Sequence, residues 1–171
     1  IETYISENAF EKGIKPEFKA QKNGKKVAII GSGPSGISAA TFLLRRGFEV
    51  EMFERANRAG GLLMYGIPGF KLNKETVTRR INWLIEAGMK LHLNCEIGKD
   101  KKVSDLEEEF DAIYLGIGAT SSNKVNIEGE NASNVHFAID FLTGIQKRNL
   151  GDKNVECINV EDKRVVVIGG G

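Results

Sequence analysis

The stretch KVAIIGSGPSG, residues 26–36, decides the fold. Its opening KVAII is apolar after the lysine and rich in β-branched residues, which predicts a strand buried on both faces. Residues 35–47 then carry apolar side chains at helical spacing up to Gly47, a residue suited to the end of a helix. The next run, EVEMF at residues 49–53, predicts a second strand. Together these stretches predict a β-α-β unit.

Strand and helix patterns continue to alternate along the rest of the chain. Further helices are predicted over residues 74–88, from a capping-box pattern at 104–107, and over 135–148. Further strands are predicted at residues 90–93, 111–115 and 164–168. The glycine-rich residues 58–69 show no regular periodicity. Alternating strands and helices with short connections predict an α/β domain built on a parallel sheet.

The sequence GSGPSG at residues 31–36 is a GxGxxG motif between the first strand and the first helix. Gly31 permits a tight turn, Gly33 lets a pyrophosphate approach the backbone, and Gly36 lets the helix pack closely on the strand. The helix N-terminus, with Pro34 and Ser35 in its first turn, offers N–H groups and a partial positive charge to phosphates. This context predicts a Rossmann-like dinucleotide site.

A carboxylate stands at the end of the second predicted strand. Glu54 follows the last glycine of the motif by 18 residues, where an acid accepts hydrogen bonds from the ribose hydroxyl of an adenosine. A carboxylate repels a 2′-phosphate, so we expect this first site not to take NADP(H).

The sequence RAGG at residues 58–61 distinguishes between dinucleotides. It resembles the FAD loop of glutathione-reductase-like flavoproteins, in which the glycine pair and the basic residue lie along the FAD pyrophosphate and ribityl chain. NAD-only Rossmann domains usually lack this loop. The resemblance favours FAD at the first site.

Two more glycine motifs follow. LGIGAT, residues 115–120, resembles the ATGA-like turn that lies near FAD in such flavoproteins, with Gly118 retained and Ile117 in place of threonine. RVVVIGGG, residues 164–171, repeats the pattern of the first strand and its loop. We therefore expect Gly169 and Gly171 to open a second nucleotide site, which lacks its third glycine and helix in this chain.

The composition gives no support to several other functions. A net charge of +1 provides no electrostatic basis for binding nucleic acid or a membrane. Cys95 and Cys157 form no CxxC pair, and His92 and His136 are isolated, so neither a metal site nor a Cys/His nucleophile is predicted. No apolar run approaches the ~20 residues of a membrane span, and no signal pattern is present, so we expect a cytoplasmic protein.

Four stretches together resemble the family of small (beta) subunits of NADPH-dependent glutamate synthase, within the FAD-dependent pyridine nucleotide-disulphide oxidoreductase superfamily. They are GSGPSG (31–36), GGLLMYGIPGFKL (60–72), EFDAIYLGIGAT (109–120) and RVVVIGGG (164–171). The resemblance implies that hydride passes from NADPH to FAD. Electrons then leave through two [4Fe–4S] clusters, held by a Cys-rich region that this chain lacks, to the large subunit or an equivalent acceptor.

The resemblance also implies which residues contact FAD. Because the flavin carries the reaction, no side chain of this protein is expected to act as a general acid or base. Ile97 is expected to meet the adenine through its backbone. The remaining implied FAD contacts are Gly31, Gly33, Pro34, Ser35, Gly36, Glu54, Arg55, Gly61, Leu62 and Gly118.

Three segments are expected from this resemblance. Residues 1–24 form a helical segment and linker from an iron–sulfur domain, residues 25–160 the FAD-binding domain, and residues 161–171 the start of an NAD(P)H-binding domain. We therefore expect the fold to be truncated at a second nucleotide-binding domain, and the chain to be inactive by itself. The alternatives are an NAD-binding Rossmann domain of a simple dehydrogenase, a ferredoxin–NADP reductase subunit, or a non-catalytic docking module.

Overall fold

A computed structural model describes residues 1–119 and 121–169. The helices are α1 (Glu2–Glu11), α2 (Pro34–Leu44), α3 (Leu62–Tyr65), α4 (Lys74–Glu86), α5 (Val103–Glu109) and α6 (Ala138–Asn149). The strands are β1 (Lys26–Ile30), β2 (Glu49–Phe53), β3 (Lys90–His92) and β4 (Ala112–Leu115). The predicted α/β class is confirmed, and β1 and β2 have the bounds expected from their sequence.

The four strands form one parallel sheet in the order β3-β2-β1-β4. Strand β1 is central, since Ile30 pairs with Phe53 of β2 on one side and with Leu115 of β4 on the other. The chain therefore leaves β1 toward one edge of the sheet and later returns to its opposite side. In open parallel sheets, ligands bind at such a switch point, beyond the carboxyl ends of the strands.

The sheet buries both of its faces. Alternate residues of a strand point to opposite sides, so Ile29 faces α2 and α4 while Ala28 faces α5. On the first face the fully or nearly buried residues include Ile29, Ile37, Ala40, Leu44, Val50, Met52, Ile81 and Leu84. On the second face they are Ala28, Phe53, Leu106 and Phe110. This two-sided burial explains why KVAII carries almost no polar side chain.

Of the two helix starts that were predicted from capping or spacing patterns, the start of α4 agrees with the structure and that of α5 does not. Helix α4 begins where it was predicted, because the Asn73 side chain accepts a hydrogen bond from the Glu75 N–H at 2.8 Å. The capping box predicted with Ser104 as N-cap is wrong. Helix α5 begins two residues earlier, at Val103 with Lys102 as the N-cap, and the Asp105 carboxylate accepts a hydrogen bond from the Lys102 N–H at 3.3 Å.

Two further expectations do not hold. Residues 62–65, for which no regular structure was predicted, form the single turn α3. The strand predicted at 164–168 is wrong: these residues are irregular, and Val166 is 86% exposed. A strand needs a neighbour for its N–H and C=O groups. Among the described residues, this segment has none.

The segment before β1 packs on α4. Glu7 and Arg79 form an ion pair at 2.6 Å, and the Arg79 guanidinium lies 4.4 Å from the centre of the Phe10 ring. Trp83 donates to the Pro16 carbonyl at 3.2 Å. Phe10 therefore lies against α4, whereas Ile5 is 61% exposed. Within the described ranges, the structure contains no helix with the length and apolar character needed to span a bilayer.

The core should be most sensitive at Leu84, which is fully buried between the sheet and α2. We expect Leu84→Ala to lower the free energy of unfolding by about 2–5 kcal/mol, because the lost apolar contacts leave a cavity. Urea unfolding measures this. The same substitution at Leu115, which is 67% exposed, should change stability by no more than about 0.5 kcal/mol. Equal effects at the two positions would contradict this account of the core.

Candidate dinucleotide-binding site

Three glycine-bearing segments meet at the carboxyl end of β1. Gly31 has a φ of +97°, and a Cβ built on it would lie 2.4 Å from the Gly116 carbonyl oxygen, so no side chain fits there. A Cβ on Gly36 would lie 2.0 Å from the Gly31 carbonyl oxygen. A Cβ on Gly61 would lie 3.0 Å from the Cα of Gly33. The loop after β1, the loop before α3 and the turn after β4 thus touch through their backbones.

The middle glycine of the first motif differs from its neighbours. A Cβ built on Gly33 would meet no other atom within 4 Å, so the space over this residue is open. Gly33 is also the N-cap of α2, and no side chain caps this helix. Pro34 and Ser35, both exposed, follow in the first turn. An open cradle over an uncapped helix N-terminus is what a pyrophosphate requires, so the residues present fit the group expected here.

A buried hydrogen-bond cluster holds this loop. The Glu54 carboxylate, 8% exposed, accepts hydrogen bonds from the N–H and the hydroxyl of Ser32 and from the N–H of Ala56. The Ser32 hydroxyl oxygen in turn accepts from the Gly60 N–H at 3.0 Å. Ser32 is fully buried. The Glu54 carboxylate, together with Ser32, therefore connects the loop after β1 (residues 31–36, called the phosphate loop below) to the loop before α3.

The Glu54 carboxylate keeps one acceptor position that its protein donors do not use. A carboxylate offers about four lone-pair positions, and protein donors take three of them. About one position is left for a ribose hydroxyl, so the predicted role is compatible with the structural one. Sequence reasoning missed Ser32. The available signal was that a buried carboxylate needs donors, and a small hydroxyl residue stood inside the motif.

Tyr114 is a second residue that sequence reasoning missed. Its hydroxyl lies 2.7 Å from the Ser35 hydroxyl, which links β4 to the first turn of α2. Both side chains are exposed, so this hydroxyl pair lies within reach of a ligand at the helix N-terminus. The sequence showed Tyr114 only as one residue of a predicted strand.

The basic residue of RAGG is engaged elsewhere. The Arg58 guanidinium contacts both carboxylate oxygens of Asp152, the shorter distance being 2.7 Å, and donates to the Leu150 carbonyl at 3.2 Å. Hydrogen bonding between the two ions raises the pKa of Arg58 and lowers that of Asp152. Arg58 thus joins this loop to the chain just after α6, whereas Gly61 of the same motif lies against the phosphate loop.

The other predicted contacts lie around this centre or away from it. Arg55 is exposed, and Leu62, at the start of α3, is 53% exposed. Ile97 is half-buried against the apolar cluster on the α5 side of the sheet. The N–H of Cys95, two residues before Ile97, donates to the Glu54 carbonyl at 3.0 Å. The segment that carries Ile97 therefore starts beside Glu54, at the carboxyl end of β2.

The later glycines are not drawn into the cluster. Gly118 has a φ of +64° and is exposed beyond Gly116. Gly169 has a φ of +103° in the exposed irregular segment, and a Cβ there would meet no atom within 4 Å. Gly171, predicted for the second site, and Thr120, in the turn after β4, lie outside the described residues.

The site is built from few kinds of polar group. Among the described residues, its closely placed groups are backbone N–H groups, the three hydroxyls of Ser32, Ser35 and Tyr114, and one carboxylate that is already hydrogen-bonded. Within the described ranges there is no group of three His, Cys, Asp or Glu residues that could hold a metal ion. Such an arrangement can bind and orient a dinucleotide.

Comparisons with known proteins point the same way. The chain is 42% identical, over its full length, to the glutamate synthase [NADPH] small chain of Escherichia coli (strain K12), and 45% identical to that of Bacillus subtilis (strain 168). It spans 37% and 35% of these relatives. Among solved structures it is similar to Mycobacterium tuberculosis FprA in complex with NADPH, at a TM-score of 0.64 and 27% identity. That match covers 70% of this chain and 28% of FprA.

A family model matches most of the chain. The pyridine nucleotide-disulphide oxidoreductase model covers residues 25–171, which include the whole sheet and all three glycine segments. A 2-naphthoyl-CoA reductase structure is also similar, at a TM-score of 0.60 and 26% identity, over 80% of this chain and 21% of the reductase. The motif, the sheet order and the family match agree, and this chain belongs to the pyridine nucleotide-disulphide oxidoreductase family.

Proposed function

We propose that this chain is the FAD-binding part of an NADPH-dependent flavoprotein oxidoreductase. One observation carries the proposal: the backbones of Gly31–Gly36, Gly61 and Gly116 converge on an open, uncapped helix N-terminus beside Glu54. FAD carries a doubly charged pyrophosphate and an adenosine ribose. The cradle offers backbone N–H groups to the pyrophosphate and the Glu54 carboxylate to the ribose. The family match and the named relatives support the same cofactor.

Each predicted residue then has a role in holding FAD. The N-terminus of α2, at Gly33, binds the pyrophosphate, and Glu54 accepts from the ribose while it holds Ser32 in place. Gly61 closes the cradle from the other side, where a side chain would meet Gly33. Leu62 and Arg55 are exposed at the rim. When bound, FAD accepts hydride from a nicotinamide and passes electrons on.

The electron path is part of the proposal. Relatives named glutamate synthase [NADPH] small chain support NADPH as the donor and a large subunit, or an equivalent acceptor, as the partner. We assign transfer through [4Fe–4S] clusters to a region outside this chain, residues 25–160 to FAD binding and residues 161–171 to the start of the NADPH-binding domain. We also propose a cytoplasmic location, in keeping with the two free thiols Cys95 and Cys157.

One observation favours a different ligand. Arg58, the basic residue of the loop expected to follow FAD, forms its ion pair with Asp152. The basic part of the FAD signature is thus satisfied within the protein, and the remaining glycine cradle and Glu54 also suit NADH. An NAD-binding Rossmann domain is therefore the second candidate.

A visible absorption spectrum distinguishes the two candidates. We expect the purified chain to retain flavin absorption after incubation with FAD and removal of the excess, because the cradle holds the pyrophosphate. The control is the same protein incubated with NADH. Binding of NADH in place of FAD would show that the site is a nicotinamide site.

Two alanine substitutions test the cradle itself. Gly33→Ala should leave the free energy of unfolding within about 0.5 kcal/mol of wild type, since its Cβ enters open space, yet weaken FAD binding about tenfold by blocking the pyrophosphate.

Gly36→Ala should lower the free energy of unfolding by about 1–3 kcal/mol, since its Cβ would overlap the Gly31 carbonyl. Urea unfolding and FAD titration measure both. Unchanged FAD affinity in Gly33→Ala would place the ligand elsewhere.

A further inference from the structure

A lysine side chain is hydrogen-bonded to the turn that contains α3, next to the candidate site. Lys74, the first residue of α4, donates from its ammonium to the Leu63 carbonyl at 2.8 Å and also to the Ile67 carbonyl. The ammonium therefore bridges a residue of α3, Leu63, and Ile67, which lies two residues after the end of that helix. Neither carbonyl belongs to α4 itself, so Lys74 is a cross-link between two separate elements.

No carboxylate accompanies this ammonium. Among residues 1–119 and 121–169, the ion pairs of the other partly buried cations include Arg58–Asp152, Arg79–Glu7 and Lys101–Glu109, and none includes Lys74. Burial lowers the pKa of Lys74. The positive end of the α4 dipole lies in the same turn and further disfavours a cation there.

These observations argue against a purely stabilising role. A lysine whose pKa is lower in the folded state binds its proton less well there than in the unfolded chain, so the charge opposes folding. The two hydrogen bonds to carbonyl oxygens act in the opposite direction. A cation kept where it lowers stability is a frequent property of functional sites.

The turn held by Lys74 contacts the phosphate loop directly. Gly61 lies against Gly33, and the Gly60 N–H donates to the hydroxyl of Ser32. Gly60 also lies close to Val77 of α4, so the turn is enclosed between α4 and the phosphate loop. Any movement of residues 60–67 would change the cradle around Gly33.

We propose that Lys74 is a positioning residue of the dinucleotide site: its hydrogen bonds to the Leu63 and Ile67 carbonyls fix the turn of residues 60–67 against the phosphate loop. The inference rests on the proposed function, and it adds a side-chain cross-link that the glycine motifs do not contain.

The test uses Lys74→Met in the full chain, with Lys74→Arg and the exposed-site control Lys163→Met. Three quantities are measured: the FAD dissociation constant by fluorescence titration, the free energy of unfolding in urea, and hydrogen exchange of residues 62–67. We expect Lys74→Met to weaken FAD binding about tenfold, because the turn of residues 60–67 loses its cross-link and must be ordered on binding. Global stability should stay close to that of wild type, since losing two hydrogen bonds and removing a buried charge act in opposite directions, and exchange in 62–67 should be faster. Lys74→Arg should restore part of the affinity.

The outcomes separate this inference from the proposed function. Unchanged FAD affinity in Lys74→Met, or a loss of affinity matched by a loss of global stability, would overturn the positioning role. If wild type binds no FAD, the proposed function fails, and hydrogen exchange alone then decides. Faster exchange confined to residues 62–67 would still support the cross-link, whereas unchanged exchange would overturn it.

Discussion

The hydrogen bonds between Glu54 and Ser32 are the interaction on which the site depends. Glu54 directly follows β2, Ser32 lies two residues after β1, and both are buried. An ionised carboxylate in such a position is tolerated only with several donors, and the chain provides three of them. The phosphate loop is consequently fixed before any ligand arrives. Through its own hydroxyl, Ser32 passes this constraint on to Gly60 and so to the turn that carries α3.

Contacts between backbone atoms, more than side chains, set the shape of this site. Gly31, Gly36 and Gly61 bring three segments so close that a methyl group on any of them would reach a neighbouring backbone atom. Within this glycine cluster, the space above Gly33 is open. An open position lined by backbone N–H groups suits an anion. Lys74 holds the turn on one side of it through two backbone carbonyls.

The sequence was most informative where local pattern and tertiary role coincide. β1 was predicted with its observed bounds because burial on both faces leaves an apolar run after Lys26. The bounds of β2 were also predicted, from the short run EVEMF, in which glutamates alternate with buried apolar residues up to Met52. Contacts between distant residues could not be predicted. Ser32 can connect two loops only because the fold brings Glu54 beside it. Helix α3 has no apolar periodicity in its sequence, and its position depends on the hydrogen bonds from Lys74 and on close glycine contacts. The run at 164–168 looks like β1 but has no neighbouring strand among the described residues.

The central place of β1 has a consequence for biosynthesis. β1 needs β4 as its second neighbour, and the two are paired through Ile30 and Leu115, far apart in sequence. At ~5–20 residues per second, a ribosome takes on the order of ten seconds to deliver the second partner after the first strand emerges. During that interval one edge of an apolar strand stays unpaired, next to a phosphate loop that already requires Gly116 for its final shape. Until β4 arrives, that edge of β1 presents unpaired N–H and C=O groups with which another strand could pair.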